Sequence, residues 1–148
     1  MEILFYHLQN TTLEQTLPSL LDKTLARGWK AVVRVSSDER MKALDDHLWT
    51  YSDESFLPHA IDADAHCGAQ PIVLSRSDTR FNDAEVMFAV DGAELPITEG
   101  WTRAVLMFDG NDPEALDNAR AAWKSVKVSG AEATYWRQDE NGRWAKNA

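Results

Sequence analysis

Five short apolar runs, set between amphipathic stretches, constrain this chain more than any other feature. ILFYHL (3–8), KAVVRV (30–35), PIVLS (71–75), AEVMFAV (84–90) and TRAVLMF (102–108) lack the regular apolar–polar alternation of a strand with one wet face. Strands that are apolar on both sides need cover on both sides. Parallel sheets crossed by helices provide it. The expected class is therefore α/β: a three-layer, mostly parallel sheet with helices on both faces. At 148 residues the chain is of single-domain size, so one domain over 1–148 is expected. No repeat, low-complexity tract or linker interrupts it.

The connecting stretches carry helix signals. Thr12-Leu-Glu-Gln15 resembles a capping box, opening a helix with Leu13, Leu17, Leu20, Leu21 and Leu25 at helical spacing. Pro18 lies inside it, which predicts a kinked first turn or a start nearer Thr16. Gly28 ends that helix, and Ser37 caps a second through about Trp49. Residues from about 50 to 69 read as an irregular connection. In "DGNDPEAL", Asp112 is the cap, Pro113 sits in the first turn and Glu114 stands near the positive end of the helix dipole. That helix runs to about Ser129 and stops at Gly130. ATYWRQ and GRWAK, joined by "DENG", form a hairpin.

An α/β sheet raises the question of nucleotide chemistry. The segment after the first strand, HLQNTTLEQ, has no glycine, and neither G-x-x-x-x-G-K-[ST] nor G-x-G-x-x-G occurs. Backbone amides need glycines to close on a phosphate, so nucleotide hydrolysis is disfavoured. His59, Asp62, Asp64, His66 and Cys67 are metal-ligand types in one loop, but their spacing fits no zinc signature. A solvated polar loop is the favoured reading there, with a small metal-dependent hydrolase as the rival. Cys67 beside His66 makes a poor nucleophile pair, because sequence neighbours point apart and no third group orients them. No G-x-S-x-G elbow exists, so no catalytic site and no cofactor are expected. MEILFYHLQN reads directly as a strand and not as a signal peptide. No apolar run reaches the roughly eighteen residues of a membrane span. With Cys67 as its single cysteine, the chain fits a reducing cytoplasm.

Charge narrows the partner. The net charge of −9 argues against broad nucleic-acid binding. It is unevenly spread: residues 119–148 hold six Lys/Arg against three Asp/Glu, a balance of +3, which leaves −12 on residues 1–118. An acidic body with a basic ending suggests a local site for an anionic partner. At about 100° per residue, Arg120, Lys124 and Lys127 share one stripe of the last helix, while Ala119, Ala122 and Val126 face the sheet. Trp123 and Leu116 fall on the seam. Trp123 is either core beside a wet basic face, or the floor of a shallow apolar spot ringed by bases. The second arrangement suits an acidic peptide ending in an apolar residue with a free carboxylate. In "DDHLWTYSDESFLPHA", Met41, Leu44 and Leu48 form the buried stripe and Trp49 lies off it. Tyr51, Phe56, Leu57 and Pro58 follow on the same connection. They form either a partner anchor or a loop that tucks Phe56 into a satellite core.

The segments MEILFYHL, DDHLWTYSDESFLPHA, PIVLS, FDGNDPEALDNARAAWK and ATYWRQDENGRWAK, in that order, resemble the chi subunit family of bacterial DNA polymerase III. The likeness runs over essentially the whole chain, and L-W-x(6)-F-x-P-H and Y-W-x-Q-D-x-x-G-x-W are its most specific parts. The resemblance implies a nucleotide-binding-like fold without a phosphate loop, and a non-catalytic cytoplasmic accessory of the replicase. It implies one surface for the C-terminal tail of single-stranded DNA-binding protein, carried over onto Arg120, Trp123, Lys124 and Lys127. It implies a second surface for a psi-type subunit of the clamp loader, on Trp49, Phe56 and Pro58, with a helicase-type protein as a further candidate there. Contact with nucleic acid is then indirect. Some relatives carry another base one turn before the arginine, where this chain has Leu116, which implies a weaker electrostatic share in tail binding. The rival binding mode is direct single-stranded DNA binding by Trp136, Trp144 and the basic ending.

Overall fold

A computed structural model describes residues 1–51, 57–96 and 99–147. The chain runs β1 (Glu2–Leu8), α1 (Leu13–Ala26), β2 (Ala31–Arg34), α2 (Asp38–Thr50), β3 (His59–Ile61), a 3₁₀ turn (Cys67–Ala69), β4 (Ile72–Ser75), β5 (Val86–Ala89), β6 (Arg103–Asp109), α3 (Pro113–Ser129), β7 (Glu132–Gln138) and β8 (Trp144–Lys146). These strands form one sheet in the order β3-β4-β2-β5-β6-β1-β7-β8. Strands β1 to β7 run parallel and only β8 is antiparallel, to β7.

Residue pattern accounts for the layers. On β1, Leu4 and Leu8 face a core built with Leu17 and Leu21 of α1 and Leu44 and Leu48 of α2. Ile3 and Phe5 point the other way, against Ala119 and Val126 of α3. The rest of that second face, around Val32, Val73 and Met87, is closed by Cys67, Ala84 and Trp101 instead of a helix. Phe5, Leu17 and Leu21 have no exposed surface. Each such side chain contributes roughly 1.5–3 kcal/mol of burial.

Two expectations need correction. Of the two readings of Pro18, the start nearer Thr16 is the one to correct: helix α1 starts at Leu13, with both hydrogen bonds of the Thr12–Gln15 capping box formed. Proline cannot donate to the Glu14 carbonyl one turn back. His47 of α2 takes that role, with Nε2 2.7 Å from the Glu14 oxygen. The connection after α2 is also less irregular than expected. His59–Ile61 form a strand, paired in parallel with Ile72–Leu74.

Candidate protein-interaction surfaces

Helix α3 crosses from β6 to β7 and so lies over β1, the strand between them. Its start is set by Asp112, whose Oδ1 accepts the Glu114 amide at 3.0 Å, and its end by Gly130 at φ 78°. A left-handed φ suits glycine, which has no Cβ to clash. Between these ends, Trp123 is half-buried. Its ring meets Phe5 edge-on at 5.2 Å between centroids and Tyr135 at 5.6 Å. The indole is thus clamped by β1 and β7. Lys127 Nζ stands 5.1 Å from the ring centroid, a cation–π contact of about 0.5–1 kcal/mol at an exposed site. Lys124 is exposed. The Arg120 side chain is 67% exposed, and its one ion pair among the described residues is a 4.0 Å contact with Asp117. The structure therefore groups Arg120, Trp123, Lys124 and Lys127 on one surface. Leu116 packs partly buried beside them.

Beneath this surface lies a pair that sequence reasoning missed. His7 is 5% exposed, and its Nδ1 stands 2.6 Å from the Tyr135 hydroxyl. Its Nε2 has no hydrogen-bond partner among the described residues and abuts Gly110, where a Cβ would sit 1.8 Å away. Burial lowers the His7 pKa, Arg137 and Arg120 lower it further, and Asp109 opposes them. Burial raises the Tyr135 pKa against the same two arginines. Arg137 therefore acts on this site too. Its signal was the alternation of β7, which puts Tyr135 and Arg137 opposite Phe5 and His7 in register. A clamped indole beside loosely held cations can hold an apolar group next to a carboxylate.

The second surface is on the other face of the sheet, where α2 packs. Trp49, at the end of α2, is 50% exposed and its ring lies 4.3 Å from that of His59. His59 itself is buried, with Nδ1 2.7 Å from the Leu57 carbonyl. Its Nε2 is 2.9 Å from Asp45 Oδ1, in a contact that is not aligned as a hydrogen bond. Leu57 is fully buried and Pro58 half-buried. Phe56 lies outside the described residues.

The metal-ligand types of 59–67 do not act together. His59 turns inward, Cys67 is buried, Asp62 accepts from Ser75 Oγ and Asp64 accepts from the His66 amide. That revises the solvated-loop reading for His59 and Cys67. Among the described residues, no three His, Cys, Asp or Glu side chains converge as a metal site. Trp136 and Trp144 are only partly exposed, because they pack on the main core; Trp144 meets Tyr6 at 4.9 Å. No described helix is long and apolar enough to cross a membrane.

Fold and surfaces together define an α/β domain that concentrates aromatic and basic side chains at exposed helix positions. The comparison with known families is more specific. Residues 1–134 match the model of the DNA polymerase III chi subunit family (HolC), and the chain belongs to that family of replication accessory subunits. The ending from Tyr135 onward lies outside the matched span. A probable DNA polymerase III subunit chi from Rickettsia prowazekii (strain Madrid E) is 26% identical over 90 residues. The match covers 61% of this chain and 54% of that protein, so it spans about half the relative's length.

Proposed function

We propose that this chain is a non-catalytic accessory subunit, folded as one domain over 1–148, that joins the polymerase III clamp loader to single-stranded DNA-binding protein. In this reading Arg120 grips the terminal carboxylate of that protein's C-terminal tail. Trp123 packs on the last apolar side chain, and Lys124 and Lys127 attract the acidic residues before it. Trp49, Pro58 and Phe56 take a psi-type subunit. A helicase-type protein is a further candidate for that surface. The protein works in the cytoplasm, carries no cofactor and meets DNA through its partners.

One observation carries the reading. Phe5 and Tyr135 hold Trp123 in a fixed pose, with three exposed bases around it, on a chain whose residues 1–118 carry −12. A rigid apolar spot ringed by cations is selective for an anionic, apolar-ended peptide and poor at binding a general anion. The test is calorimetry with a synthetic tail peptide and with the same peptide lacking its last residue. Micromolar binding that truncation abolishes and salt weakens is the expected result. No binding to the intact peptide would remove the tail-reading role.

A further inference from the structure

A cleft of about 430 Å³ opens beneath the C-terminal end of α1, on the opposite face of the sheet from the ring of His7. Its floor reaches the core at Leu4, Phe88 and Val105, and Trp29 and Tyr6 form walls. Lys23, Arg27 and Arg103 supply its charge. Two guanidinium groups lie near the one indole: that of Arg27 is 4.0 Å and that of Arg103 is 5.2 Å from the Trp29 ring centroid. Arg103 pairs with Glu2 at 2.6 Å. Lys23 and Arg27 have no ion pair and no side-chain hydrogen bond among the described residues.

The dipole of α1 explains why bases gather at its C-terminus. It does not explain why that end stands open over a buried apolar floor. We propose that this cleft binds a small organic anion with a flat aromatic body. The indole and guanidinium planes stack a planar ring system, and the unpaired bases meet its negative group. Tyr6 adds a hydroxyl that makes no hydrogen bond with described residues. The size falls in the range of small-molecule sites, roughly 300–1,000 Å³, and is too small for a folded partner. Such a cluster of bases is out of keeping with the −12 of residues 1–118, so an anion is the complementary occupant. The site is distinct from the Trp123 surface, which lies across the sheet, and does not depend on the tail-reading proposal.

The probe is naphthoate, with the neutral naphthalenemethanol as its uncharged counterpart, titrated into the full chain and followed by amide chemical shifts. The expected result is saturable binding of one naphthoate per chain, with shifts concentrated on Lys23–Trp29, β1 and β6. The neutral compound, and separately the Lys23→Ala/Arg27→Ala double variant, should each weaken binding at least about fivefold. Ala26→Leu, a change at an exposed lining position, should obstruct the cleft and weaken naphthoate while the far-UV spectrum stays native. Equal affinity for the neutral compound would overturn the proposal. So would non-saturable shifts, or shifts centred on Trp123 across the sheet.

Discussion

Arg120→Ala separates a binding residue from a structural one. The side chain is 67% exposed, and its contact with Asp117, itself 77% exposed, is 4.0 Å long. Such a surface pair contributes about 0–1 kcal/mol, so the fold should lose no more than about 0.5 kcal/mol on its removal. In a complex the guanidinium would donate to a terminal carboxylate. A charge-assisted hydrogen bond of this kind is worth about 1.5–3 kcal/mol when well sheltered. Exposure to solvent moves the expectation to the lower end, roughly 1.4 kcal/mol, or a tenfold loss of affinity. Calorimetry of the tail peptide against both proteins measures it. Arg120→Lys keeps the charge but loses the two-pronged geometry, and should fall between them. A loss below about twofold, with the melting temperature unchanged, would refute the assignment of the carboxylate to Arg120.

Trp49→Ala should leave tail affinity unchanged while releasing a psi-type subunit in co-purification; loss of both activities would indicate a folding defect instead. Gly110→Ala would drive a methyl group into the His7 ring, where the Cβ would stand 1.8 Å from Nε2. An overpacking cost of about 1–3 kcal/mol by urea denaturation is expected, and an unchanged midpoint would count against the clamped His7 geometry. The folded His7 has a lowered pKa, so below its ordinary 6.5 the unfolded chain binds a proton that the folded one resists. Stability should decline as pH falls through that range. Glu14 adds to the loss below its ordinary 4.5: burial raises its pKa, but the Arg40 hydrogen bond and charge lower it on balance. A flat stability profile from neutral pH to about pH 5 would contradict the His7 assignment.

What the sequence revealed was what neighbouring residues decide. The start of α3 is written in Asp112-Pro-Glu114, and its stop in Gly130. The apolar runs name the strands to within a residue or two, because burial on both faces leaves few polar positions. The stripe of Arg120, Lys124 and Lys127 follows from helical geometry alone. Pro18 misled for a different reason: the group that answers the Glu14 carbonyl is His47, 33 residues on, which no local signal announces. β3 escaped because three residues paired to β4 carry too little pattern of their own. The His7–Tyr135 bond spans 128 positions and exists only once α3 has carried the chain across β1.

That crossing also sets the order in which the protein can be made. β1 leaves the ribosome well before β6 and β7, yet these are its two neighbours, with Glu2 opposite Arg103 on one side and Glu132 on the other. Its backbone amides and carbonyls stay without sheet partners until most of the chain has been synthesised. Pairings this distant in sequence make folding slow, and they leave an apolar strand open to wrong partners meanwhile. The same arrangement resists fraying once complete, since the first strand is hydrogen-bonded along both edges and covered by helices on both faces.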